Sequence, residues 1–184
     1  RTNSKNLCLA GGVALNSVAN GRIIRETKFE NLYVQPAAGD GGCSLGAALY
    51  TWHCALGKKN PRFVMKHAYW GASYTEGEIQ SALESSGLKY EYISDENILT
   101  SKTVDRLIDG KVVGRFDGRF EWGPRALGNR SIIADPRNED MKDLVNTKIK
   151  FREPFRPFAP SVLQEHVKDY FQASDSMIEN TARF

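Results

Sequence analysis

Residues 31–56 have the sequence NLYVQPAAGDGGCSLGAALYTWHCAL, in which a short apolar run is followed by a glycine turn and then by small helix-forming residues. This order predicts a strand over 31–35, a loop over 36–42 and a helix over 43–56. The preceding residues repeat it, with a strand over 7–10, the pair Gly11-Gly12, and a helix over 13–25. Two successive strand–turn–helix units predict an α/β fold with ligands bound where the strands end.

The pattern changes after residues 58–62, which are polar, contain a proline and are interpreted as a linker. Residues 75–78 have the sequence of a capping box, which predicts a helix that ends at Gly87. The periodicity further predicts helices over 95–109, 138–149 and 164–171, and strands over 88–93, 111–116, 131–134 and 158–163. The second region is therefore predicted to be α+β and separate from the first.

The composition, 41% hydrophobic and 26% charged, is typical of a soluble globular protein. No apolar run approaches the roughly 18–20 residues of a membrane span. Three cysteines without paired spacing indicate reduced thiols, in or near the core of a cytoplasmic protein. Seven arginines and four lysines stand against seven acidic residues between Lys111 and Arg156. This local excess of positive charge favours a discrete anion site over a general polyelectrolyte surface.

The two glycine loops are the first candidates for ligand binding. Gly11 and Gly12 would let backbone amides approach a phosphate at a helix N-terminus, and Asn16 and Asn20 would share one helix face. In the second loop, the uncrowded carboxylate of Asp40 could meet a metal or a substrate hydroxyl. The alternatives are a tight turn with surface asparagines in the first loop and helix capping by Asp40 in the second.

The strongest candidate is the arginine loop, residues 114–131, with the sequence GRFDGRFEWGPRALGNRS. Its arginines lie among glycines, where the surface of a helix cannot account for them, and guanidinium groups suit bidentate contacts with phosphate or carboxylate oxygens. Asn129 and Ser131 add neutral hydrogen-bonding groups, and Trp122 could stack on a base or anchor the loop. The alternative is a solvated basic loop.

Residues 146–158, NTKIKFREPFRPF, alternate cations with apolar side chains. A period of two predicts that the side chains of residues 149, 151, 155 and 158 point inward, with the cations along one exposed edge. A polyphosphate or nucleotide pocket fits this pattern, and single-stranded nucleic acid is the alternative ligand. The histidines stand alone at residues 53, 67 and 166, so no catalytic triad is predicted.

Four segments together resemble the NodU/CmcH-type carbamoyltransferases, a family of nodulation-factor and antibiotic-tailoring enzymes: LAGGVALN, YVQPAAGDGGCSLGAAL, GRFEWGPRALGNRSIIADPR and KIKFREPFRPFAPSV. The resemblance covers residues 6–171 and implies two domains. Residues 1–62 would be the C-terminal part of an actin/Hsp70-like (Kae1-like) ATPase-fold domain, and residues 63–184 an incomplete YrdC-like α+β domain. Because family members are longer, and neither Arg1 nor Phe184 is a natural terminus by its sequence, we expect a fragment that is inactive alone.

The resemblance also implies the chemistry. The YrdC-like domain would form carbamoyl-adenylate from carbamoyl phosphate and ATP with Mg²⁺, releasing pyrophosphate. The Kae1-like domain, which in the parent protein would hold divalent iron or a similar metal, would pass the carbamoyl group to a hydroxyl of a small-molecule acceptor. Negative charge grows on phosphate oxygens in such a reaction, so positioned cations rather than a side-chain nucleophile would carry the catalysis.

Site residues follow from the same resemblance. Asp40 matches the family's metal-binding aspartate, whose histidine partners belong to the N-terminal part of longer members. The first glycine loop would contribute four residues to a nucleotide or substrate site: Gly11, Gly12, Asn16 and Asn20. The YrdC-like pocket would use Arg115, Asn129 and Ser131 to bind the cofactor, and Arg125, Arg130, Lys148 and Arg152 as catalytic residues.

Two other functions remain open from the residues. One is an RNA- or nucleotide-binding module related to the tRNA-modifying YrdC and Kae1 proteins, although the modest net charge of +3 makes nucleic acid the less favoured partner. The other is the end of an actin-like sugar kinase, which rests on the glycine loops alone and gives no reason for the sequence WGPRALGNRS.

Overall fold

The computed structural model describes residues 2–59 and 65–173, together with residues 175 and 178. Its contacts divide the chain into two compact units. The first unit is built from Arg1–Trp70, Glu121–Leu127 and Val162–Phe184, and the second from Gly71–Phe120 and Gly128–Ser161. Residues 60–62 of the predicted linker, and the predicted domain boundary after residue 62, lie outside the described residues.

A pair of parallel strands organises the first unit. Strand β1 (Asn6–Leu9) pairs with β2 (Asn31–Val34) in the register Asn6 to Asn31 through Leu9 to Val34. A 3-10 turn (Gly12–Leu15) and helix α1 (Ser17–Glu26) connect them, as a parallel pair requires. This strand–helix–strand order confirms the α/β character predicted for the start of the chain.

A second helix follows the second strand. A 3-10 turn (Asp40–Gly42) leads into α2 (Cys43–Tyr50), which continues as a π-helical turn (Thr51–Ala55) and so fills most of the predicted range. The buried apolar side chains near the strands are mostly small: Ala14, Leu32, Ala37, Ala38 and Ala68. Small residues let the loops beyond the strands approach closely.

The helices of the second unit begin and end at the signals present in the sequence. Helix α3 (Glu76–Ser86) has a complete capping box between Thr75 and Glu78, and it stops at Gly87 with a φ of 66°. Helix α4 (Glu96–Ile108) is capped by Asp95, which accepts hydrogen bonds from the amides of Asn97 at 2.8 Å and Ile98 at 3.3 Å. Both predicted helices are confirmed.

The remaining elements of the second unit are a strand pair and a short helix. Strand β3 (Val113–Phe116) pairs antiparallel with β4 (Arg130–Ile133). Helix α5 (Met141–Leu144) continues as a π-helical turn (Val145–Ile149), and Met141 and Val145 are buried. In the first unit, a 3-10 turn (Gln164–His166) precedes helix α6 (Val167–Tyr170), close to its predicted range.

Three predictions about the fold are wrong. Residues 88–93 and 158–163 form no strands, because alternation can mark a strand face but cannot supply the neighbouring backbone that a strand needs. All three cysteines, Cys8, Cys43 and Cys54, are exposed and free, so they are not core thiols.

No helix among the described residues is long and apolar enough to cross a membrane.

Candidate functional site

The two glycine loops meet at one edge of the parallel pair in the first unit. Because β1 and β2 run in the same direction, the loops that follow them lie at the same strand ends. The amide of Gly11 donates to the carbonyl of Ala38 at 2.7 Å, with Gly11 at a φ of 95° that favours glycine. A Cβ atom on Gly39 would lie 3.8 Å from the Cα of Gly12. Both glycine loops therefore lie at one edge of the parallel pair.

The side chains of Asn16 and Asn20 each make one hydrogen bond with a nearby backbone group. Asn16 precedes α1 and caps it, accepting from the amide of Ala19 at 3.1 Å, so the predicted shared helix face is wrong. Asn20 donates through Nδ2 to the carbonyl of Ala14 at 2.8 Å. The Nδ2 of Asn16 and the Oδ1 of Asn20 make no hydrogen bond among the described residues, and their role in nucleotide binding stays a prediction.

Asp40 is exposed at the start of the 3-10 turn before α2. Neither that turn nor α2 has a side-chain cap, so the helix-capping alternative is not what the structure shows. Within the described ranges, no group of three His, Cys, Asp or Glu side chains could hold a metal ion. One carboxylate does not make a metal centre. Asp40 as a metal ligand stays a prediction that requires further ligands from elsewhere.

The middle of the arginine loop, Glu121–Leu127, belongs to the first unit. The amide of Trp122 donates to the carbonyl of Ala68 at 2.6 Å, and the hydroxyl of Tyr69 donates to the carbonyl of Leu127 at 2.8 Å. Gly123 has a φ of 128°, and a Cβ atom there would lie 2.6 Å from the carbonyl oxygen of Pro36. Arg125, which is exposed, is thereby fixed in the unit that carries the glycine loops.

Arg130, in the second unit, is committed to the loop around it. Its guanidinium lies over the rings of Phe116 and Phe120, with 3.5 Å and 3.9 Å from Cζ to the ring centroids. One terminal nitrogen donates to the carbonyls of Asp117 and Asn129, and the other to the carbonyl of Gly118 at 3.1 Å. This geometry favours a role in holding the loop, and direct catalysis by Arg130 stays a prediction.

The three predicted cofactor residues of the same unit also make contacts within it. Asn129 donates through Nδ2 to the carbonyl of Arg119 at 2.8 Å, and Ser131 accepts from the amide of Gly128 at 2.9 Å. Arg115 forms an exposed ion pair with Asp117 at 2.5 Å. These side chains stabilise the loop as it stands, so a phosphate would have to compete with existing partners.

Arg152 has a different environment, which leaves its outer edge available. Its Nε donates to the Oδ1 of Asn146 at 2.7 Å, and its guanidinium lies over the ring of Phe158 at 4.8 Å. In the part of the chain that is described, its two terminal nitrogens donate no hydrogen bond. A guanidinium that is fixed at Nε and open at both ends of its fork suits a phosphate or carboxylate.

The strip of residues 146–158 carries four cations against one acidic residue, Glu153. The pKa of Glu153 is lowered by a hydrogen bond from its own backbone amide, by the Arg156 side chain at 2.9 Å, and to a smaller extent by the charge of Arg152. Lys148, exposed in the π-helical turn, adds a cation without a hydrogen-bond partner among the described residues. Lys148 and Arg152 both belong to the second unit, and their shared role in one pocket stays a prediction.

The predicted orientation of the apolar side chains in this strip is wrong. Phe151 and Phe155 are 84% and 76% exposed, and Ile149 and Phe158 are also exposed. The period-two pattern fails because the strip is not extended. Residues Val145–Ile149 form the π-helical turn, and Phe151 has a φ of 49°.

Two family profiles match the chain. The profile described as carbamoyltransferase N-terminus matches residues 1–49, and the one described as carbamoyltransferase C-terminus matches residues 104–182. The chain belongs to the carbamoyltransferase family. The glycine loops and Asp40 fall within the N-terminal match, while the arginine loop, Lys148 and Arg152 fall within the C-terminal match.

The chain is also similar to individual proteins over most of its length. The chain is 54% identical over 175 residues to an uncharacterized protein of Synechocystis sp., covering 91% of this chain and 28% of the relative. It is 44% identical to the nodulation protein NolNO of Sinorhizobium fredii, covering 97% of this chain and 26% of the relative. It is 41% identical to the nodulation protein NolO of Bradyrhizobium diazoefficiens, with 95% and 32% covered. The chain thus spans between a quarter and a third of the length of these relatives.

Proposed function

We propose that the chain is part of an O-carbamoyltransferase that forms carbamoyl-adenylate from carbamoyl phosphate and ATP. The carbamoyl group would then pass to a hydroxyl of a small-molecule acceptor. The observation that carries the proposal is the match of both carbamoyltransferase profiles to one chain. The open fork of Arg152 supports it, because both substrates carry phosphate groups. In fold terms, residues 1–62 would be the end of a Kae1-like domain and residues 63–184 part of a YrdC-like domain.

The proposed reaction places its charge on phosphate oxygens. Carbamoyl phosphate loses inorganic phosphate with one water consumed, the carbamate oxygen forms a bond to the α-phosphorus of ATP, and the bond to pyrophosphate breaks. Mg²⁺ bound with ATP would neutralise part of the developing charge. On the protein side, the guanidinium of Arg152 would bind phosphate oxygens, with Lys148 as a further cation of the second unit. Arg125 would be a separate catalytic residue, carried by the first unit.

Pyrophosphate release tests the proposal. The full-length protein with ATP and carbamoyl phosphate should release pyrophosphate in a coupled assay, and Arg125→Ala should lower the rate about 100-fold or more with an unchanged Tm. The matched control is Arg137→Ala, because Arg137 is an exposed arginine that is paired with Asp135 at 2.6 Å and is not among the predicted site residues. Undiminished pyrophosphate release by the Arg125 variant would show that Arg125 is not a catalytic residue. If the wild-type protein released no pyrophosphate, the proposed reaction would be refuted.

Exposed aromatic side chains favour a second candidate, an RNA-binding module. Phe151 and Phe155 lie open beside Arg152 and Arg156, and exposed rings interleaved with cations can stack on unpaired bases. Binding to single-stranded RNA should then be measurable at low salt, weaken steeply as salt rises, and fall about 10-fold in Phe155→Ala. A flat RNA titration at low salt would dismiss this candidate.

A further inference from the structure

We propose that Asn146 is the positioning residue for Arg152, which it aims so that both terminal nitrogens of the guanidinium meet one phosphate group. This inference rests on the proposed function, because it takes Arg152 to contact a phosphate-bearing substrate. Asn146 is the largest side chain that is fully buried among the described residues. It lies in the π-helical turn after α5, six residues before the arginine that it would position.

Every polar group of the Asn146 side chain is used. The Oδ1 accepts from the Nε of Arg152 at 2.7 Å, and the Nδ2 donates to the carbonyls of Pro154 at 3.2 Å and Arg156 at 3.0 Å. Its backbone carbonyl also accepts from the amide of Arg152 at 3.0 Å. A buried amide in this arrangement holds the following loop at several points, including the segment where Phe151 adopts a φ of 49°.

The contacts determine which edge of Arg152 is available. The bond at Nε and the ring of Phe158 at 4.8 Å fix the plane of the guanidinium. With Nε occupied, the two terminal nitrogens form the remaining bidentate edge, and this edge fits two oxygens of a phosphate. Arg130 is a useful contrast, because both of its terminal nitrogens donate to backbone carbonyls. Of these two arginines, only Arg152 is both fixed and open.

The residue type at position 146 follows from the same geometry. The site requires one acceptor for Arg152 and two donors for the carbonyls of Pro154 and Arg156, and an asparagine side chain supplies this combination. Aspartate would keep the acceptor but would place a carboxylate oxygen against those carbonyls. Alanine would remove all three hydrogen bonds and leave a gap beside the guanidinium.

A mutant cycle in the full-length protein tests the inference by pyrophosphate release. Asn146→Ala should lower kcat/KM about 10- to 100-fold, because a misplaced guanidinium no longer meets the phosphate. In the Arg152→Ala background, Asn146→Ala should cause no further loss of kcat/KM. Added guanidinium ion should restore part of the activity of Arg152→Ala but none in the double variant, which lacks the Oδ1 acceptor. Asn146→Asp should retain more activity than Asn146→Ala, because it keeps that acceptor.

The control is Thr147→Val, which removes a hydrogen bond to the carbonyl of Asp143 in the same turn without touching Arg152. It should leave kcat/KM and guanidinium rescue unchanged. Losses that add up in the double variant, or rescue that survives the loss of Asn146, would overturn the positioning role. So would undiminished pyrophosphate release by Arg152→Ala.

A readout without catalysis separates this inference from the reaction. In the 184-residue chain, the Nε–H NMR signal of Arg152 should be protected from exchange in the wild type and unprotected in Asn146→Ala. Adding inorganic pyrophosphate should shift the Nε–H signal of Arg152 in the wild type and leave it unshifted in Asn146→Ala. If the full-length protein released no pyrophosphate but these signals behaved as described, the proposed reaction would fail and the positioning role would stand. An unprotected or unresponsive wild-type signal would overturn it.

Discussion

Gly123 occupies a place where the backbone of the first unit leaves no space for a side chain. Gly123→Ala would introduce a Cβ atom 2.6 Å from the carbonyl oxygen of Pro36, at a φ of 128° that alanine rarely adopts. We expect the free energy of unfolding to fall by about 2–4 kcal/mol, since backbone strain and overpacking act together. Urea denaturation of the purified chain measures this change.

Gly46→Ala in α2 is the matched control for that substitution. Apart from the backbone of the helix itself, no atom of the described residues lies within 4 Å of a Cβ at Gly46, and helix interiors favour alanine over glycine. This variant should keep or gain stability, by up to about 1 kcal/mol. Equal losses at both positions would contradict the close approach of Gly123 to Pro36.

Asp135 gives a prediction for pH. The side chain of Arg137, followed by the Arg137 backbone amide, lowers the pKa of Asp135 from 3.8 to about 2. Because the folded-state pKa is lowered, the stabilisation from this pair is complete above the ordinary value and is lost as the pH falls through about 2. An NMR titration of the Asp135 carboxyl should show that midpoint, and Arg137→Ala should raise it toward 3.8. An identical midpoint in both proteins would refute the pairing.

The arginines show what the sequence can and cannot predict at this scale. Their density indicated an anion site, but Arg130 and Arg152 have the same side chain and different surroundings. Whether a guanidinium has free terminal nitrogens depends on groups that folding brings to it: the carbonyls of Asp117 and Gly118 at Arg130, and Asn146 at Arg152. Asn146 itself gave no signal in the sequence, because a single asparagine within a predicted helix is unremarkable until its burial is known.

At the scale of elements, the end of a helix is determined by a few neighbouring residues, so a single substitution can test it. Asp95→Ala removes the acceptor for the amides of Asn97 and Ile98 at the start of α4. We expect a loss of about 1 kcal/mol and faster hydrogen exchange at those two amides. Asp95→Asn keeps the acceptor, so its exchange rates should stay near those of the wild type. Comparable exchange in all three proteins would show that the cap contributes nothing.

The same distinction explains which elements were predictable. The capping box of Thr75 and Glu78 marks the start of α3, and Gly87 marks its end. A short window of sequence is therefore enough to predict this helix. Strands need a partner that can lie far along the chain, as in the pairing of Val113 with Ile133. Residues 88–93 alternate like a strand but find no such partner among the described residues, and Leu88 and Tyr92 are instead exposed.

At the scale of the whole molecule, many large apolar side chains are exposed and the thiols share that exposure. Cys8, Cys43 and Cys54 should all react with Ellman's reagent in the native 184-residue chain, at rates close to those in denaturant, because access limits the reaction of buried thiols. Cys43→Ser should reduce the count of reactive thiols by one. A native protein with unreactive thiols would contradict the exposure that the structure shows.

The path of the chain through its two units has a consequence for biosynthesis. The polypeptide contributes Glu121–Leu127 to the first unit only after it has passed through Gly71–Phe120 of the second. During translation, Gly123 is therefore made about 85 residues after Pro36, which takes about 4–17 s at typical elongation rates. The close approach of these two residues cannot form before then. Until residues 121–127 have been made, the nascent first unit lacks one of its loops.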